Sequence, residues 1–278
     1  NTAIELDPTA ANAYNERGIV YEALDQTEEA LADYSKAIEL DPAEPIYYSN
    51  RGAIYKAQLD YDAAIADYTS AIDLDPSDAE AYNSRGIAYE DLERYEEAVA
   101  DFDQAIDLDP DYAAAYNNRA VAYEGLAEYE AALDDYTSAI TLDPEDLLYY
   151  RNRAGVYRTL GDYEAAVADY TQALALDSTD INSYYYRGDS RYELEDYRGA
   201  LRDFDKVLDL NPQDADAYNG RGHVFYAQGD LETAVENYLQ AIEIDAEYTS
   251  AYNSLCWTYS LLEQAEDALP YCEQAIEL

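Results

Sequence analysis

The sequence predicts an all-α fold, a right-handed α-solenoid in which antiparallel helix pairs stack into a superhelix. Three observations carry that reading. The phrase "AEAYNSRGIAYEDLERYEEAVADFDQAIDLDP" at residues 79–110 returns at a 34-residue step along nearly the whole chain. Within each copy the apolar and small residues keep a helical period over two successive segments. A single copy cannot bury its apolar stripe alone, whereas stacking the next copy onto it can.

The register has no insertion. Pro8, Pro42, Pro76, Pro110, Pro144 and Pro212 share one column, with Ser178 and Ala246 in the remaining copies. Tyr14, Tyr48, Tyr82, Tyr116, Tyr150, Tyr184, Tyr218 and Tyr252 share another. A third holds Arg17, Arg51, Arg85, Arg119, Arg153, Arg187 and Arg221, then Leu255. On this register residues 1–8 are the end of a preceding repeat. Repeats follow at 9–42, 43–76, 77–110, 111–144, 145–178, 179–212, 213–246 and 247–278, the last divergent and incomplete.

The first helix of the quoted copy is expected at about 79–91, where Tyr82, Gly86 and Tyr89 fall on one face. The second is expected at 95–108, with Tyr95, Ala98, Val99, Phe102, Ala105 and Ile106 on one stripe. A short turn such as "LER" or "LGD" joins them. Pro110 disfavours helical geometry at Asp109 and closes the second helix. Ser77-Asp78 supplies a cap and a first-turn anion for the next one. Gly86, Ala98 and Ala105 let helix axes approach, and the tyrosines fill the grooves beside them.

These columns resemble the tetratricopeptide repeat family, over essentially the whole chain. The residues that carry the resemblance are Tyr82, Gly86, Tyr89, Ala98, Phe102, Ala105 and Pro110, at the family's offsets. The resemblance implies a concave groove, lined by the first helices, that takes extended peptides. The inward column then corresponds to Asn15, Asn83, Asn117, Arg151, Tyr185, Asn219 and Asn253. A row one turn on holds Ile19, Ala53, Ile87, Val121, Gly155, Asp189, His223 and Trp257. The family's carboxylate clamp is approximated only by Arg151 and Arg158.

Composition excludes several partners. The chain carries 16 basic and 61 acidic residues, a net charge of −45. Nucleic acid and anionic membrane bind by having their phosphates neutralised, so neither is expected as a partner. No stretch approaches the ~20 apolar residues of a membrane span, so no membrane insertion is expected. The acidity reads either as a solvated outer face or as adaptation to salt. Chemistry is equally bounded. His223 is the only histidine, and no metal-ligand spacing, phosphate loop or nucleophile–base set appears. We expect no enzyme, no cofactor and no metal. His223 reads as a groove residue.

Four departures from the pattern carry expectations. Sixteen residues after each Arg of the third column stands Asp33, Asp67, Asp101, Asp135, Asp169 or Asp203, then Asn237 and Tyr271. Arg and Asp are lost together at Leu255 and Tyr271, which implies an ion pair inside each hairpin, such as Arg85 with Asp101. Cys256 and Cys272 stand in facing columns of the last repeat, as a disulfide or as two buried thiols. A disulfide implies an extracellular or periplasmic compartment, free thiols the cytoplasm. Pro270 is expected to bend or shorten its helix. Neither end supplies a polar capping unit, so a longer array, or ends that stack on neighbours, is expected.

Two features bear on binding. An asparagine column can donate to and accept from a peptide backbone, or else bond from repeat to repeat. Arg151, Arg153, Arg158, Arg187, Arg191, Arg198, Arg202 and Lys206 cluster among Tyr184, Tyr185, Tyr186 and Tyr192. That cluster either receives an anionic group or balances local charge. The function expected is a non-catalytic protein-interaction scaffold. Its groove takes a peptide or protein segment through Asn15, Asn83, Asn117, Arg151, Arg158, Tyr185, Tyr192, Asn219 and His223. The alternative is a structural subunit of an extracellular fibre or surface assembly, built head-to-tail on itself.

Overall fold

The computed structural model describes residues 2–278. Those residues form 17 helices and no strand, and the chain divides into two compact units, residues 1–144 and 145–278. In the first unit, α1 (Thr2–Leu6) precedes four pairs: α2 (Ala11–Glu22) with α3 (Thr27–Leu40), α4 (Pro45–Ala57) with α5 (Tyr61–Leu74), α6 (Ala79–Glu90) with α7 (Tyr95–Leu108), and α8 (Ala113–Gly125) with α9 (Tyr129–Leu142). The second unit holds α10 (Leu147–Thr159) with α11 (Tyr163–Leu176), α12 (Ile181–Glu193) with α13 (Tyr197–Leu210), α14 (Ala215–Ala227) with α15 (Leu231–Ile244), and α16 (Thr249–Leu261) with α17 (Ala265–Glu277). Within each unit a first helix packs on its own second helix, which packs on the next first helix.

Local chemistry sets the helix ends. Asp78, Asp146, Asp180 and Asp214 accept backbone N–H groups at the start of first helices. Asp60, Asp162, Asp196 and Asp230 do the same for second helices. Asp41 and Asp109, each before a proline, turn extended and stop the helix. Each turn inside a pair carries one left-handed residue, at 25, 59, 93, 127, 161, 195, 229 and 263, and only two of these are glycine. The N–H of the following residue reaches back to the first helix, as from Arg94 to the Tyr89 carbonyl at 2.9 Å. This bond satisfies one of the carbonyls left open at a helix end.

The core is a repeated stack of small residues against rings. Ala98, Phe102 and Ala122 pack together, as do Ala154, Ala166 and Tyr170. A Cβ added at Gly86 would lie 2.6 Å from Cε1 of Phe102, so the ring sets the need for glycine there. Burying one such ring contributes about 1.5–3 kcal/mol.

The arginine column ties this core in two directions. Arg85 donates Nε and Nη2 to the two oxygens of Asp101, each at 2.7 Å, and Nη1 to Thr69 of the preceding pair at 3.0 Å. Arg51, Arg119 and Arg187 repeat both bonds, using Ser35, Asp103 and Thr171 as the backward partner. Tyr82 and Tyr89 flank the Arg85 guanidinium at 5.7 and 5.9 Å. The Asp101 bond holds the Arg85 pKa above its ordinary value, against burial, which lowers it. The spacing in the sequence indicates the bond within the hairpin; the backward bond to the neighbouring repeat is an addition from the structure.

The last pair replaces this tie. Leu255 is fully buried, Tyr259 stacks on Tyr271 at 5.5 Å, and Cys256 is disulfide-bonded to Cys272. The two cysteines occupy the positions of Gly86 and Phe102 in the third repeat. Helix α17 continues through Pro270 and is 13 residues long, against 14 for α15. Among the described residues no helix is long and apolar enough to cross a membrane.

Candidate functional site

The first helices of the second unit line a cavity of about 370 Å³. Tyr192 of α12, His223 and Tyr226 of α14, Tyr238 of α15 and Trp257 of α16 form its walls, with Asn253, Ser254 and Thr258 completing the α16 side. The 34-residue step explains the arrangement. Tyr192 and Tyr226 occupy one column, His223 and Trp257 another, so successive helices present the same face.

Hydrogen bonds fix the walls. Trp257 donates its indole N–H to the Tyr226 hydroxyl at 2.7 Å. His223 Nε2 lies 3.2 Å from Ser254 Oγ, and its ring sits 5.6 Å from Tyr238 and 6.4 Å from Tyr192. Burial pushes the His223 pKa below its ordinary value, only partly offset by Asp189. Burial therefore disfavours the charged imidazole here. Trp257 is 62% exposed and stands at the rim. The walls are rigid aromatic surfaces, and no Lys, Arg, Asp or Glu lines them.

The other residues expected to face a partner are placed differently. Asn15, Asn83, Asn117 and Asn219 are all buried, none more than 6% exposed. Asn50 donates to Asn15 at 2.8 Å and Asn118 to Asn83 at 3.0 Å, so these carbonyls are spent between neighbouring first helices. Asn117 donates to Asn118. Asn15 and Asn83 thus bond from repeat to repeat, the second of the two readings of this column, whereas Asn253 of the same column is exposed and lines the cavity. Among the described residues Asn219 Oδ1 has no hydrogen-bond partner; Ser254, at the repeat position of Asn50 and Asn118, lies against His223. Tyr185 packs on Phe204 at 5.8 Å and on Tyr186 at 5.2 Å, and so belongs to the core side of α12.

Five of the eight residues of the basic cluster are paired within the chain. Arg158 pairs with Asp189 at 2.5 Å and lies 4.6 Å over the Tyr186 ring. Arg151 approaches Asp180 at 3.6 Å. Arg153 binds Asp169, and Arg187 and Arg191 both bind Asp203. Arg198 and Arg202 are exposed on the second helix α13, away from the first-helix row. Local charge balance is thus what Arg151, Arg153, Arg158, Arg187 and Arg191 do.

Tetratricopeptide repeat profiles match residues 50–113, 85–146 and 185–249, together more than half of the chain. Two further profiles of such repeats match residues 11–43 and 154–194. The chain belongs to the tetratricopeptide repeat family. Comparison with curated proteins gives no match. Among solved structures, a tetratricopeptide repeat (TPR) protein from Parabacteroides merdae is 21% identical, covering 89% of this chain and 98% of that one, with TM-score 0.64. Pseudomonas aeruginosa pilF is 19% identical, covering 79% of this chain and 97% of that one, with TM-score 0.66. YrrB, described as a TPR protein with an unusual peptide-binding site, is 24% identical, covering 67% of this chain and 96% of that one, with TM-score 0.60. Identities this low establish the shared TPR solenoid fold and nothing finer.

One TPR column explains which cavity residues sequence reasoning missed. Glu22, Lys56, Glu90, Glu124, Arg158, Tyr192, Tyr226 and Ser260 stand at the same repeat position. In the first unit that position is charged. Burial, with Asp91 and Glu124 nearby, pushes the Glu90 pKa up to about 7, and burial raises Glu124 as well. In the second unit Arg158 is still charged, Tyr192 and Tyr226 are aromatic and Ser260 is neither, and the change at Tyr192 and Tyr226 is the signal for Tyr226. Tyr238 and Thr258 carry no such signal, because their columns also serve the core.

Proposed function

We propose that this TPR protein is a non-catalytic interaction scaffold and that its first-helix face in the second unit receives a segment of a partner protein. The observation that carries this reading is the cavity walled by Tyr192, His223, Tyr226 and Trp257. Rigid aromatic side chains lose little entropy on binding and dominate interface energetics. Membership of a family of interaction scaffolds supports it, and so does the peptide-binding site reported for the similarly folded YrrB. The contact of His223 with Ser254 does not form a catalytic triad. Asp189, the carboxylate that acts on His223, is held by Arg158 and does not orient the imidazole.

The test is selection of random peptides on the intact protein, followed by binding to variants. Trp257→Ala and Tyr192→Ala are expected to weaken the selected peptides at least tenfold. The pair Arg151→Glu with Arg158→Glu is expected to act only through local stability, because both side chains are engaged within the chain. Peptides that bind the two aromatic variants as tightly as the parent place the site elsewhere.

A further inference from the structure

We infer that the aromatic cavity takes a single cationic side chain, an arginine or lysine, presented by a basic partner segment. This rests on the groove reading above and names the chemistry of its occupant. Tyr192, Tyr226 and Trp257 line one space of about 370 Å³, with Tyr238 buried behind His223. A guanidinium or ammonium is attracted to aromatic ring faces, most strongly to tryptophan and most when desolvated.

The surroundings select a cation over the alternatives. The chain carries a net charge of −45, so a basic segment is drawn to it and an acidic one repelled. No Lys or Arg lines the cavity, and burial disfavours the charged form of His223. Anion binding needs clustered donors, and the indole N–H is already spent on Tyr226. The carboxylate of Glu193 acts on Tyr192 and adds negative potential at that wall, whereas Asp189 is paired with Arg158. The same chain already stacks guanidinium groups on tyrosines elsewhere, with Arg94 4.5 Å from the Tyr89 ring centre and Arg158 4.6 Å from that of Tyr186. An apolar anchor is the competing occupant. It would gain from the ring surface and nothing from the charge.

Trp257 is the only tryptophan in the chain, so its emission reports occupancy directly. The probes are acetylated, amidated Gly-Arg-Gly, the same peptide with neutral citrulline in place of arginine, and Gly-Leu-Gly. Titration is carried out on the full chain in roughly 0.15 M salt, where exposed charges interact over only about 8 Å. The arginine peptide is expected to change the emission saturably. Citrulline is expected to raise the half-saturation about fivefold or more, and Tyr226→Leu to do the same for the arginine peptide. The leucine substitution keeps net charge while removing one ring and the acceptor of the Trp257 indole N–H, so the citrulline comparison on the parent protein isolates the charge, and far-ultraviolet circular dichroism checks that the variant is folded. A citrulline or leucine peptide that binds as well as the arginine peptide overturns the cation and leaves the groove reading standing. Saturation by the arginine peptide that Tyr226→Leu does not weaken also overturns it. So does an emission unmoved by all three probes, and the groove reading is then judged by the peptide selection alone.

Discussion

Arg85 and Asp101 meet through two parallel hydrogen bonds of 2.7 Å each, across the two helices of one repeat. Asp101 is only 5% exposed. Removing Arg85 leaves a buried carboxylate without its partner, a loss that typically costs about 3–5 kcal/mol. Arg85→Leu is therefore expected to destabilise strongly in urea unfolding. The double change Arg85→Leu with Asp101→Tyr copies Leu255 and Tyr271 of the last repeat and is expected to recover at least about 1 kcal/mol of that loss. A double variant no more stable than Arg85→Leu removes the pair as the cause.

The left-handed turn residues give a gain. Glu93 and Ala127 hold φ of 57° and 58°, which costs a residue with a side chain roughly 1–2 kcal/mol relative to helical geometry. Glu93→Gly and Ala127→Gly are each expected to stabilise by about 0.5–1 kcal/mol. Gly161, at φ 78° in the same column, is expected to lose about as much on change to alanine. Thermal melts of the single variants check both signs.

Glu90 makes stability depend on pH. Its pKa is raised to about 7 from 4.5, chiefly by burial, then by Asp91 and Glu124, with Lys56 opposing. A carboxyl whose folded pKa is raised binds more protons in the folded state between the two values. Its contribution is most favourable below pH 4.5 and is lost as pH rises through about 7. Glu90→Gln is expected to raise the melting temperature at pH 8 and to change it little at pH 5. An equal effect at both pH values would show that Glu90 is not the titrating group.

The disulfide closes a short loop in the last pair, with a separation of 16 residues. A loop of that size typically contributes about 3 kcal/mol when closed. Reduction is expected to speed amide exchange in α16 and α17 while leaving α6 and α7 unchanged. Uniform acceleration along the chain would contradict a local clamp.

The reasons some of this was readable in the sequence are geometric. A fixed 34-residue step turns covariation between repeats into contact information. That is how the joint change at Leu255 and Tyr271 points to the Arg–Asp tie, and how facing columns bring Cys256 to Cys272. The same step says nothing about which way a column points. Successive residues of a helix differ by about 100° in direction, so Asn83 and its neighbours can face the groove or the next helix with the same periodicity. Asn118 decides it by bonding Asn83 from the adjacent repeat. The basic cluster misleads for a related reason. Arg158 and Asp189 are 31 residues apart and in different columns, so no single-column reading pairs them.

The central claim is that a partner segment lies across α12, α14 and α16 at the Trp257 cavity. Hydrogen-exchange mass spectrometry with a selected peptide tests it most directly. Slowed exchange is expected in residues 181–193, 215–227 and 249–261, with α13 and α15 unchanged on their outer faces. Protection confined to the second helices, or to the first unit, would contradict it.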